Sequence, residues 1–461
     1  MTEGVTSLQP FQTAPEVTRA LLEMRNRESA MSRLLMAFIS TGVIFMLFPG
    51  TLLGVWNLLE ISGKEHGGAI SASWVQAHGH AQVFGWIGSF LLGIGFYSIP
   101  KLRDSATRVI RAAWVCWVLW TIGVFMRWAS TIYLYQWRLM IPLGGALELA
   151  AFLIFFSVVS GHRPKANRKS GIEPWVWVVM SATIGFLAVL VFNLVESIRI
   201  ARLGADPAFP HNFDQRYLAL LGWGFLVPFV WGFSAKWMRV FLGLKPLRPE
   251  YLMATVAVNL LGVGFALAGW FPLATAFLLL AACLSAMAIR IFEPSVQDPK
   301  TKGIHTTFPL FVRIAYGWLI VAASLGVAAC RWDSSGGIWG ASRHALTVGF
   351  VAMMVLAVGQ RILPAFAGMR LLWSPRLMFA GLFLLTIGCT LRVSCEVLAY
   401  QGYAAWTWHV LPLSALLELS ALSLFAANLF CTFLLQPSHA VNETMMVSVP
   451  QIATPERFIP L

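Results

Sequence analysis

Three histidines stand at the mouths of two apolar runs that resemble each other. The first run opens with His78-Gly79-His80-Ala81-Gln82-Val83-Phe84-Gly85 and ends at Pro100; the second opens with His344-Ala345-Leu346-Thr347-Val348-Gly349 and ends at Pro364. In each, a glycine follows the aligned histidine (His80 or His344) by five positions and a proline by twenty. A neutral imidazole is a common axial ligand of haem iron and also suits copper. An ionisable side chain in a membrane helix is costly unless it is used, so these histidines are candidate metal ligands. Lone histidines at helix ends often do no more than hydrogen-bond; repetition in register favours ligation.

The correspondence continues into charged residues. Gly123-x-x-x-Arg127 matches Gly388-x-x-x-Arg392, and Pro142 with Glu148 matches Pro412 with Glu418, each glutamate inside Leu-Glu-Leu. Arginine forks pair with carboxylates, so Arg127 and Arg392 are candidates for haem propionates or for the two glutamates; the plainer alternative is snorkelling at a helix end. Glu148 and Glu418 need partners if buried, and structural pairing is favoured over a proton relay. A degenerate middle copy joins Asn57-Leu58-Leu59-Glu60 to Asn193-Leu194-Val195-Glu196 at an offset of 136, which carries His80 onto Arg216.

These residues lie on a chain of 461 residues, 58% hydrophobic and only 11% charged. About 25% charged residues is usual for soluble domains, so the expectation is an all-α polytopic membrane protein. Twelve runs are long enough to cross a bilayer: 33–57, 76–99, 108–128, 138–160, 174–198, 217–239, 251–269, 271–290, 308–330, 343–364, 376–399 and 408–434. A polar head, 1–32, precedes the membrane domain 33–435, and a polar tail, 436–461, follows it. A capping-box spacing at Thr13-Ala14-Pro15-Glu16 predicts a short amphipathic helix through Ser32. The repeats divide the membrane domain into 33–160, 174–290 and 308–435, three four-helix units. Units so related place their second helices equivalently, which brings His80 and His344 toward one space. His78 and His80 are about 200° apart around a helix, so His80 is assigned to the shared site and His78 faces elsewhere.

The net charge of +13 sits in short loops, chiefly after even-numbered runs. The positive-inside rule then places both termini in the cytoplasm and gives the bilayer, rather than nucleic acid, as the partner of the charge. Six cysteines lie within apolar runs without Cys-x-x-Cys spacing and read as small buried hydrophobes.

His78-Gly79-His80 and the twelve-helix plan resemble haem-copper oxidase catalytic subunits, where the two histidines of a His-x-His helix bind different haems. His344-Ala345-Leu346-Thr347-Val348-Gly349, with Arg361 following, is similar to a motif of NnrS-type membrane proteins, described as containing haem and copper and linked to nitric oxide metabolism and stress. The resemblance implies a bacterial inner-membrane haem protein, with b-type haem between His80 and His344 and nitric oxide or another small gas as partner. It departs from the family at Ala81-Gln82 and at 363–368, and the sixth and seventh runs lack the His-Pro-Glu and His-His elements of the three-histidine copper site. Copper is therefore a weaker expectation than haem. Axial ligation does not state whether a coordination position is open, so enzymatic activity stays undecided. If the chain is an enzyme, the resemblance implies an oxidoreductase acting on nitric oxide or a related gas. A haem-free transporter and an electron-transfer haem subunit are the other two readings that the residues allow.

Overall fold

The computed structural model describes residues 14–65, 68, 70–98, 106–161 and 173–436. Thr13, His66, Pro100 and the tail from 437 lie outside the described residues. Among the described residues, twelve helices are long and apolar enough to span a membrane: α1 Arg25–Gly63, α2 Ala72–Ser98, α3 Val109–Tyr133, α4 Trp137–Ser160, α5 Pro174–Leu203, α6 His211–Leu242, α7 Pro249–Ala268, α8 Phe271–Ile289, α9 Phe308–Trp332, α10 Gly337–Phe366, α11 Pro375–Tyr400 and α12 Thr407–Leu435. No strand occurs among the described residues. The protein is an all-α multi-pass membrane protein in contact with the lipid bilayer.

The expected head helix does not stop at Ser32. Helix runs without a break from Ala14 to Phe45 and then through a π-helical stretch, Met46–Leu52, into the rest of α1. The turn between α7 and α8 is made by Gly269 in the left-handed region (φ +86°), which stops α7, while Pro272 in the first turn of α8 restarts the helix. All six cysteines are free.

Contacts group the chain into two compact units. One holds α1 as far as Gly50, α2, α3, α4 and α5 from Leu190 with its following loop to Phe209; the other holds the remainder of α1, the start of α5 and α6 through α12. In the first, Phe96 of α2 lies 6.1 Å from Phe38 of α1 and 5.1 Å from Phe155 of α4. In the second, Val55, Leu58 and Ile61 of α1 pack with Cys395 and Ala399 of α11 and with Trp408, Leu411 and Ala415 of α12.

The three four-helix segments share one local feature. The second helix of each is π-helical over about two turns: Ala81–Gly88 in α2, Leu220–Leu226 in α6 and Ala345–Ala352 in α10. In α2 and α10 the π stretch starts on the residue after His80 and after His344. In α6 it begins at Leu220, three residues later than the offset of 136 puts it (81 + 136 = 217). A π stretch loosens the regular ladder, and its carbonyls need other donors. Trp120 Nε1 donates to Phe84 O (3.1 Å) in α2, and Asn259 Nδ2 donates to Trp223 O (2.7 Å) in α6. The glycine five residues after each histidine lies against the preceding helix. A Cβ on Gly85 would stand 2.6 Å from Phe45 Cβ, and one on Gly349 would stand 2.5 Å from Trp318 Cγ.

A second pair of glycines sets the distance between the third and fourth helices of two segments. A Cβ on Gly123 would meet Gly144 O at 2.8 Å and Glu148 Cγ at 3.1 Å; one on Gly388 would meet Glu418 Cγ at 2.9 Å and Ser414 O at 3.1 Å. Overpacking of this kind costs about 1–3 kcal/mol. Gly123→Ala and Gly388→Ala should therefore each lower the thermal unfolding temperature of the purified protein. Gly317→Ala, whose new Cβ meets nothing within 4 Å, should leave it unchanged or raise it, since alanine is favoured over glycine in a helix by about 1 kcal/mol.

Candidate functional site

In the first unit, the first three turns of α2 and the facing parts of α3, α4 and α5 assemble a buried polar cluster. His80 Nε2 lies 2.7 Å from Glu148 Oε1, a distance that requires a proton between the two atoms. His80 is 7% exposed and Glu148 0%, so water does not satisfy this pair. The imidazole stacks on Phe84, with centroids 4.4 Å apart, and Phe84 stacks in turn on Trp120 at 6.1 Å. The second carboxylate oxygen of Glu148 accepts from Asn193 Nδ2 at 3.2 Å. Every charged atom of the glutamate thus has a partner, as a carboxylate in this environment requires.

Arg127, one turn along α3 from Gly123, does not pair with Glu148. Its guanidinium donates to Ser197 Oγ at 2.7 Å and covers the ring of Phe209 at 4.7 Å. The expected arginine–glutamate pairing is replaced here by a histidine–glutamate pair. Phe209 is held from both sides of its peptide by Gln76 of α2, whose Oε1 accepts from Phe209 N (2.7 Å) and whose Nε2 donates to Phe209 O (3.0 Å). His78 turns to α1, where its Nδ1 lies 2.9 Å from Gly50 O in the π-helical stretch.

The second unit carries the counterpart at α10, α11 and α12. Asp333 caps the start of α10, accepting from the backbone N–H groups of Ser335, Gly336 and Trp339 at 3.2, 2.8 and 2.8 Å. Seven to eight residues on, His344 Nδ1 donates to Gly340 O at 2.9 Å and stands 3.1 Å from Glu396 Oε2. That tautomer leaves the lone pair on Nε2, which Arg392 approaches at 3.5 Å. Arg392 also reaches Glu396 Oε1 at 3.5 Å. Three buried atoms of the cluster, Arg392 Nη1, Glu396 Oε2 and Glu418 Oε1, have no hydrogen-bond partner. Glu418 is seated by Gly388 as Glu148 is by Gly123, but a second carboxylate, Glu396, has taken the histidine.

Among the sequence candidates, His80 joins Glu148 in one unit, and His344 joins Arg392 in the other. Glu396 went unread, although its place four residues after Arg392 on an apolar helix is an i,i+4 signal. Asn193 was visible as a repeat marker without its role. Gln76 and Phe209, 133 positions apart, give no local signal at all. No group of three or more metal-ligating side chains of the His, Cys, Asp and Glu types converges among the described residues.

A family described as a domain of unknown function, DUF8744, matches residues 219–431, just under half of the chain. None of the curated proteins matches the sequence. Among 19 matching chains of solved structures is one from the cryo-EM structure of a haem-copper terminal oxidase dimer. It is 12% identical, with a TM-score of 0.67 over 88% of this chain and 84% of that one. A likeness at this identity is one of fold, and the chain has the twelve-helix fold of a haem-copper oxidase.

Proposed function

We propose that the protein is a haem-binding membrane protein, in which His344 of α10 and, from the sequence repeat, a histidine of α2 would hold haem. The observation that supports it best is the setting of His344. Its Nδ1–H is fixed by the Gly340 carbonyl, an arrangement that orients a ligating imidazole, and the lone pair on its Nε2 faces only the Arg392 guanidinium, 3.5 Å away. Beside it, the orphaned Nη1 of Arg392 suits a propionate carboxylate. His344 and Arg392 therefore fit the group.

His80 fits less simply. Its Nε2 is committed to Glu148, so the assignment of that atom to iron asks the buried carboxylate to give it up. His78, whose Nδ1 is anchored on Gly50 O much as that of His344 is on Gly340 O, has the tautomer of a ligand. Arg127, held by Ser197 and Phe209, stands as the second candidate for a propionate. When bound, haem supplies a redox-active iron with an affinity for small gases. The chain's own residues orient the imidazoles, neutralise the carboxylates and exclude water. The motif resemblance to NnrS-type proteins extends the reading to nitric oxide metabolism in a bacterial inner membrane, with both termini in the cytoplasm.

Protein purified in detergent should show a Soret band with one haem per chain. His344→Ala should abolish or shift it, and so should one of His78→Ala and His80→Ala, which identifies the α2 ligand. Folded protein without haem in every preparation, reconstitution included, sinks the proposal. Carbon monoxide or nitric oxide added to the reduced protein should shift the spectrum if a coordination position opens to substrate; an unchanged spectrum assigns the chain to electron transfer instead.

A further inference from the structure

The second unit contains a partly open cleft of about 60 Å³ at the end of the helices where α6, α8 and α10 begin and α7 and α9 finish. It is well below the roughly 300–1,000 Å³ of sites for drug-sized ligands, but several times the roughly 10–15 Å³ that one water needs, so it admits a molecule of a few heavy atoms. Trp223, Phe271, Trp339 and Leu346 form apolar wall, Phe271 and Trp339 meeting edge to face at 5.9 Å, and Gln215 and Arg343 bring polar groups to it.

Arg343 is the unusual member. Among the described residues its guanidinium makes no hydrogen bond and no ion pair within 4.0 Å. The buried arginine nitrogens sealed off without a partner belong to Arg290, Arg361 and Arg392, so those of Arg343 keep an accessible side. Asp214, Glu396 and Asp333 act on it only from beyond ion-pair distance. Two of these are committed elsewhere, Asp333 to the first turn of α10 and Glu396 to His344 and Arg392. A charged fork inside a membrane protein without a close counter-charge is expensive. None of the residues lining the cleft is acidic.

We propose that the cleft binds a small organic monocarboxylate, its carboxylate held by the Arg343 fork and its apolar end against the tryptophans and Phe271. A planar fork selects two coplanar oxygens, and aromatic walls favour an acid with a short carbon chain over a bare inorganic ion. Gln215, in the first turns of α6, supplies an amide to the polar end. The cleft lies near the helix ends, within reach of the aqueous side. The site is separate from the haem reading and does not depend on it.

The test is calorimetric titration of the full-length protein in detergent with sodium acetate, sodium butyrate and butyramide. Butyrate should bind saturably, acetate about tenfold or more weaker for the loss of two buried methylenes, and the uncharged amide not at all. Arg343→Gln should weaken butyrate by about tenfold or more, with Arg343→Lys in between, because lysine keeps the charge and loses the fork. Absence of saturable binding by folded wild-type protein overturns the proposal, as does butyramide binding as well as butyrate, or an Arg343→Gln variant that binds unchanged. If Arg343→Gln does not fold, the three-ligand series on the wild type decides alone.

Discussion

A carboxylate inside a bilayer has no water to turn to, and the placement of Glu148 and Glu418 constrains much of what surrounds them. Both are seated by the same device: a glycine on the preceding helix, Gly123 or Gly388, that lets the fourth helix of the segment come close enough to press Cγ against its backbone. The approach leaves the Glu148 carboxylate no exposure, so its partners must come from other helices. For Glu148 they do, as His80 from α2 and Asn193 from α5. The proton between His80 and Glu148 is then a structural element, because removing either partner strands a buried polar group.

The third segment keeps the device and changes the pairing. Glu396 enters from α11, takes the near side of His344 and engages Arg392. Glu418 is left with an unbonded oxygen, and Arg392 with an unbonded nitrogen. In one copy both oxygens of the glutamate are paired; the other carries two carboxylates and one arginine around a histidine, with an unbonded oxygen on each glutamate. An incompletely satisfied network is costly in a low-dielectric interior, and more of that cost falls on α10–α12.

The fold was largely legible in the sequence. Twelve apolar runs, punctuated by basic loops, gave twelve helices among the described residues, and the repeated His, Gly, Arg, Pro and Glu spacings marked residues at matching places in α2–α4 and α10–α12. Pairing was less legible, because it depends on how each helix is rotated. Arg127 and Glu148 sit on adjacent helices and looked like natural partners, yet Arg127 turns to Ser197 and Phe209. The π-helical stretches left no periodicity to read, since each alters the register by only a fraction of a turn. For the same reason the middle copy could not be aligned by arithmetic alone: its π stretch lies three residues beyond the constant offset. Glu396 was the residue that a search confined to repeated positions would miss, because the first segment has no equivalent for it.

Consecutive residues on a helix point about 100° apart, and α10 uses this at one place. His344 turns toward α11 and its carboxylate; Arg343, one position earlier, lines the cleft bounded by α6 through α9. The first two turns of α10, capped by Asp333 and followed at once by the π-helical stretch, therefore present a ligand-type imidazole to one space and a cation to another. Moving the onset of that stretch by one residue would rotate everything after it but neither of these two, since both precede it. The cap fixes these turns from their N-terminal side, and Gly349 against Trp318 fixes the helix beyond them. Held at both ends, they have little freedom to exchange one orientation for the other, so the two spaces are served by separate side chains rather than by a swing of one.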